Sequence, residues 1–275
     1  MDWKKLITQT VGPEQLAAIS TFVAAKTIPK KSPIDTFYEE SRAIIRTTPT
    51  SVNSEDWIGC ANVVALVSLT ENYFRSILSE ILNVCDITKK NAADNNINFG
   101  SVLWHPDEFI TRGAFEHISF SESKKIIEVT RKYVGCELND LNSILNEFAK
   151  VCELRHGIVH SGRYMAGKNA LILDIPPSSN LIKICIGYGQ LQSIASICTA
   201  LVISYNNKMF EVLCKRWATA WRQSPSWKPA LEDKYIENIW NIFFSKVDKN
   251  DGTILERGSW KTCRNLIKKE YNMTK

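Results

Sequence analysis

No stretch of the chain approaches the roughly 20 uninterrupted apolar residues that a membrane span requires. Nor does Met1-Asp2-Trp3-Lys4-Lys5 lead into a continuous apolar segment with a small-residue cleavage site. A cytoplasmic protein with no membrane partner is the expectation. The eight cysteines include no Cys-x-x-Cys pair, which removes the usual zinc-ribbon and redox spacings. Cys60, Cys85, Cys136, Cys152, Cys185, Cys198, Cys214 and Cys263 are scattered, several at helical spacing among Leu, Ile and Val, and they read as small core residues. There is no phosphate-cradling glycine loop, no Gly-x-Ser-x-Gly elbow and no internal repeat; Gly187-Tyr188-Gly189 alone is too short to be a motif. Asp248-Lys249-Asn250-Asp251-Gly252 lacks the alternating oxygen ligands and the closing Glu of a calcium loop, and reads as a turn. Hydrolysis of nucleotides by a P-loop is not expected, and neither is a cofactor or a resident metal.

What is present is a chain of 275 residues, 44% hydrophobic and 23% charged, ordinary for a globular protein and long enough for one large domain with extensions. The net charge of +5 permits an acidic partner such as RNA, with the basic residues dispersed rather than clustered. Residues 1–50 read as an N-terminal helical extension, in which Gly12-Pro13-Glu14 opens one short helix and Thr27-Ile28-Pro29-Lys30-Lys31-Ser32-Pro33 separates it from the next. Ser54 is the expected N-cap of a long helix, because apolar residues recur at Cys60, Val63, Val64, Val67, Tyr73, Phe74, Ile77, Ile81 and Leu82. From Cys85 to about Gly100 the run Asn91-Ala92-Ala93-Asp94-Asn95-Asn96 reads as a polar loop, with shorter helices before Gly135.

Leu138, Leu141, Leu145, Phe148, Cys152, Arg155 and Val159 form a second helical stripe, which Gly162 should end. Ala170 to Ile175 and Leu181 to Ile186 then flank Pro176-Pro177-Ser178-Ser179-Asn180 like two hairpin strands. A third long helix carries Leu191, Ile194, Cys198, Leu201, Tyr205, Val212 and Leu213, with Trp217 near its end; the Trp217 to Arg222 aromatic cluster is read as packing rather than base stacking. Ser224-Pro225-Ser226-Trp227-Lys228-Pro229 reads as a linker into a C-terminal extension, residues 223–275, with a helix around Lys234 to Phe244. The expected fold is mainly α: a helical bundle over residues 51–222, with a small β-hairpin insert and short N- and C-terminal extensions.

The informative feature is the charge that interrupts the second stripe. Arg155 is followed at once by His156 and five residues later by His160. Such an Arg–His spacing occurs by chance in roughly one chain in six of this composition; its position at the end of a long amphipathic helix singles it out. A metal offers one competing reading, since Cys152, His156 and His160 fall at i, i+4 and i+8 on one helical face. The outer two lie about 12 Å apart along the axis, so an ion would need ligands from elsewhere, such as His117 or His105. Another competing reading makes Arg155 a helix-end cation favoured by the dipole, its stem on the core and its head in water.

Glu153-Leu154-Arg155-His156-Gly157-Ile158-Val159-His160 resembles the Arg-x4-His signature of the HEPN superfamily, in which a polar residue commonly follows the Arg. Leu69-Thr70-Glu71-Asn72-Tyr73-Phe74-Arg75 is similar to the aromatic, acid-bearing first long helix of such domains. The resemblance spans residues 51–222, and the strand-like insert departs from the simplest bundle. It implies a HEPN-like helical bundle and metal-independent endoribonuclease activity, in which a ribose 2′-hydroxyl attacks the adjacent phosphodiester at a site formed where two domains dimerise. It further implies a toxin or antiviral-defence effector, with RNA as substrate and an antitoxin or defence-system protein as a possible partner.

The residue types suit that chemistry. His160, with an unperturbed pKa near ~6.5, can take or return a proton near neutrality. Arg155 can fork onto two phosphate oxygens and stabilise transition-state charge, with His156 assisting by hydrogen bonding. Five positions of an ideal helix amount to about 500°, so Arg155 and His160 point roughly 140° apart. Either the helix ends early and lets His160 swing, or a symmetry-related copy completes each site; the homodimer is the expectation. The alternative is a non-catalytic module of the same fold that dimerises and binds RNA or nucleotides.

Overall fold

The structure is a computed structural model and describes residues 7, 12, 14–25, 31–254 and 258–273. Met1 to Lys5, Pro13, and Thr27 to Lys30 lie outside the described residues. The chain falls into two compact units, Met1–Lys31 and Ser32–Lys275. In the first, residues 14–18 are not helical, and among the described residues regular structure is limited to a 3-10 turn at Ile19–Thr21. The short helix expected after Gly12-Pro13-Glu14 is therefore not seen there. Leu16, Ile19, Phe22 and Val23 are all exposed, so no buried face holds a helix together.

The second unit is mainly α. Its helices are α1 (Pro33–Thr47), α2 (Trp57–Val84), α3 (Asp86–Ala92), α4 (Phe99–Trp104), α5 (Ser123–Val129), α6 (Asn142–His160), α7 (Gly167–Ile172), α8 (Tyr188–Ala218), α9 (Glu232–Phe243), α10 (Lys246–Asn250) and α11 (Trp260–Glu270). Among the described residues no helix is long and apolar enough to cross a membrane.

The apolar stripes dictate how these helices pack. α2 buries Cys60, Val63, Val67, Phe74, Ile77 and Ile81; α6 buries Leu145, Phe148, Val151 and Ile158; α8 buries Leu191, Cys198, Leu201, Met209, Leu213 and Trp217. Each such side chain contributes about 1.5–3 kcal/mol on leaving water. Aromatic rings fill the centre: Phe74 stacks on Phe120 at 5.7 Å and meets Tyr205 edge-on at 4.9 Å. The Tyr205 hydroxyl is satisfied by Thr130 Oγ1 at 2.8 Å, so its polar end is not orphaned. Trp217 and Trp221 are buried as well, in keeping with a packing role.

α1 belongs to the same core. Pro33 sits in its first turn, where a missing N–H costs nothing, and Ile34, Phe37 and Tyr38 are buried. Its buried Asp35 accepts hydrogen bonds from Ser245 Oγ at 2.7 Å, Lys246 N at 3.0 Å and Val247 N at 3.3 Å, tying α1 to the start of α10. Asp35→Ala would orphan the buried Ser245 hydroxyl and two part-buried peptide N–H groups, and the expected cost is about 3 kcal/mol. A lowered urea midpoint with an unchanged denaturant slope would register it; an unchanged midpoint would show that the three bonds carry no net stability.

Two expectations are corrected. α2 begins at Trp57 with Asp56 as N-cap rather than at Ser54, because the Ser54 carbonyl is engaged elsewhere, accepting from Ile186 N at 3.2 Å. The β-hairpin insert is not formed. Residues 167–172 are helix α7, and β pairing there is a single antiparallel bridge between Tyr164 and Lys183. The Asn169 side chain, almost fully buried, donates to Glu153 of α6 and docks the segment as a helix, while Leu171 and Ile172 face outward. A short apolar run does not distinguish strand from helix by itself, and here the tertiary contact decides.

Candidate functional site at the end of helix α6

Two glycines set the stage for the site by letting backbones approach. At Gly59, in the first turn of α2, a Cβ would lie 1.9 Å from the Ile186 carbonyl oxygen. At Gly157, near the end of α6, it would lie 2.6 Å from Ile184 Cδ1. Residues 184–186 are thereby clamped between the start of α2 and the end of α6. The chain leaving α6 is pinned to the same segment: Met165 N donates to Ile182 O at 2.8 Å and Ile184 N to Arg163 O at 2.7 Å.

α6 remains helical through His160, so His160 does not swing away from the helix axis. His156 and His160, one helical turn apart, share a face; both are exposed, and their ring centroids lie 4.7 Å apart with a 49° interplanar angle. Arg155 is half-buried and points roughly 140° from His160 about the axis. The structure thus brings the two histidines together and leaves Arg155 on another side of the same helix. No carboxylate pairs with Arg155 among the described residues. Among the described residues its guanidinium charge is uncommitted, at a helix end that favours cations.

Exposed apolar side chains adjoin this end of the bundle. Val159 and Tyr164 are each 45% exposed, and Leu171 and Leu181 each 79%. Nearby, Lys183 pairs with Glu55, whose carboxyl is held below its usual range by that lysine and by the Cys185 thiol.

The residues of the metal reading separate. Cys152 is buried and faces the core, where burial pushes its thiol well up, whereas His156 and His160 face outward. His105 bonds Glu116, which also accepts from Ser101 at 3.0 Å, and His117 lies exposed on another segment. Among the described residues no group of three or more His, Cys, Asp or Glu side chains is placed to hold a metal ion.

Arg163 was not singled out by sequence. It is 3% exposed and adopts φ of 75°, directly after Gly162 at φ of 58°. The Gly at 162 signals a left-handed helix terminus, but nothing in the sequence signals that the next residue continues it. No family model matches the chain, and neither a curated protein nor a solved structure does.

Proposed function

We propose that the chain is a HEPN-like endoribonuclease that cleaves RNA without a metal ion and works as a homodimer, as a toxin or antiviral-defence effector. The observation that carries this reading is the exposed His156–His160 pair at the end of α6, on the same helix as an arginine with no carboxylate partner among the described residues. An imidazole reachable from solvent can exchange protons with a bound substrate. A guanidinium not neutralised from within the chain retains its fork for phosphate oxygens.

The reaction needs two proton movements and one charge stabiliser. An imidazole removes the proton of a ribose 2′-hydroxyl, whose oxygen bonds to the adjacent phosphorus. The bond from phosphorus to the 5′-oxygen breaks, and that oxygen takes a proton from an imidazolium. The products are a 2′,3′-cyclic phosphate and a 5′-hydroxyl end, and Arg155 stabilises the extra negative charge in between. Because Arg155 and His160 diverge on one helix, a second copy of α6 supplies the complementary half of each site. The exposed Val159, Leu171 and Leu181 supply apolar surface for that twofold contact.

The test is incubation of the purified chain with bulk tRNA and mRNA in excess chelator. Fragments ending in cyclic phosphate are expected from wild type and not from Arg155→Ala or His160→Ala. Equal fragmentation by all three proteins would defeat the reading.

A further inference from the structure

We infer that Arg163 is a positioning residue that holds the histidine-bearing turn of α6 in place, a role that deepens the endoribonuclease reading and rests on it for its catalytic consequence. Four observations converge on this side chain. Its backbone is held in the left-handed region at φ of 75°, which L-residues other than glycine rarely adopt. Its guanidinium is buried with no carboxylate in ion-pair reach among the described residues, although an unpaired buried charge is costly. Nη2 instead reaches the carbonyls of Ser54 at 3.4 Å and Ile184 at 3.5 Å, and Nε has no partner. The ring of Trp57 lies over the guanidinium, 5.1 Å from its central carbon.

These contacts join three pieces of chain distant in sequence. Ser54 and Trp57 belong to the entry into α2, Ile184 to the clamped segment, and Arg163 to the exit from α6. The peptide N–H groups of Ser161 and Arg163 both donate to Gly157 O, each at 3.2 Å, so the backbone folds back over the last turn of α6. His160 lies between that acceptor and Arg163. Fixing Arg163 therefore pins the C-terminal end of the helical turn on which His160 stands against His156. A residue whose only task was to reverse the chain would be better served by glycine, for which this φ carries no steric cost. The arginine side chain is retained in a strained backbone, and what it touches are the entry into α2 and the clamped segment.

Arg163→Gly separates the two roles, because it relieves the backbone while removing the tether. Expected is a loss of ~100-fold in kcat with KM nearly unchanged, since a small misplacement of a reacting group has that scale of effect. Arg163→Lys, which can still reach a carbonyl, should recover part of the rate. Independently of activity, the nuclear Overhauser contact between the His156 and His160 rings should be strong in wild type, lost in Arg163→Gly and regained in Arg163→Lys.

Retention of that ring contact and of wild-type kcat in Arg163→Gly would overturn the inference. If wild type cleaves no RNA, the endoribonuclease reading fails, while the ring contact still decides the positioning role. Should Arg163→Gly not fold, Arg163→Met, which keeps the buried stem and removes the guanidinium, decides: loss of the ring contact supports the tether, and its retention refutes it.

Discussion

His160→Ala is expected to slow RNA cleavage by about 10²–10⁴-fold, the scale on which a general acid or base contributes. The side chain is exposed on the last turn of α6, so its removal should change stability by no more than about 0.5 kcal/mol. A large kinetic loss in a protein that melts like wild type cannot then be assigned to unfolding. His156→Ala should cost less, about 10-fold, because in the proposed mechanism that ring assists by hydrogen bonding and does not carry the proton. Arg155→Lys keeps the charge but loses the planar fork, and should retain only part of the rate. Single-turnover cleavage of an end-labelled RNA measures all three. If His160→Ala cleaves as fast as wild type, the imidazole is not the proton carrier.

Gly59→Ala should give the largest change in stability. In an ordinary helix interior this exchange stabilises by about 1 kcal/mol; here the sign reverses. The new Cβ would sit 1.9 Å from Ile186 O and 2.9 Å from Ile186 C, both backbone atoms. They cannot step aside cheaply, since Ile186 N is bonded to Ser54 O at 3.2 Å and Ile184 N to Arg163 O at 2.7 Å. A loss of about 3–5 kcal/mol is expected, a large share of the roughly 5–15 kcal/mol that holds a domain together. Gly189→Ala is the control. It lies in the first turn of α8 with nothing within 4 Å of its Cβ position, and should gain up to about 1 kcal/mol. Chemical denaturation of the two variants would separate the cases, and equal midpoints would show that the close approach at Gly59 costs nothing.

Periodicity revealed the long helices because each has one face against the core. Most residues of the stripes that predicted α2, α6 and α8 are buried, while Val64, Arg155 and Val212 are only partly so and Val159 is exposed; Gly162 does stand in the left-handed region just past α6. The helix around Lys234 to Phe244 is α9, and residues 246–250 form the short helix α10 before a turn at Gly252. Boundaries set by distant contacts were not legible. Ser54 has the chemistry of a cap, yet its carbonyl serves Ile186 and Arg163. Within the stretch expected as a polar loop α3 forms, and α4 begins at its end. Asp86, at the start of α3, is bonded by Ser226 at 2.8 Å, and Asn98 caps α4 by accepting from Gly100 N at 2.8 Å. Ala170 to Ile172 carry no period that separates strand from helix; docking of Asn169 on α6 settles it.

At the site the pattern was partly readable. The i, i+4 spacing of His156 and His160 puts them on one face, and they are found side by side. The divergence of Arg155 follows from the same helical geometry. Arg163 was invisible because its significance lies in a backbone angle and in burial, neither of which residue identity encodes.

The clamp on residues 184–186 also orders events during synthesis. A chain emerging from the ribosome releases α2 and α6 before Ile182 to Ile186, and those later residues complete the hydrogen bonds around Arg163. Until they emerge, the turn bearing both imidazoles lacks its tie to the rest of the domain. The end of α6 therefore acquires its fixed geometry only once residues 182–186 have emerged, and a nascent chain halted before residue 182 would carry both histidines without their final placement.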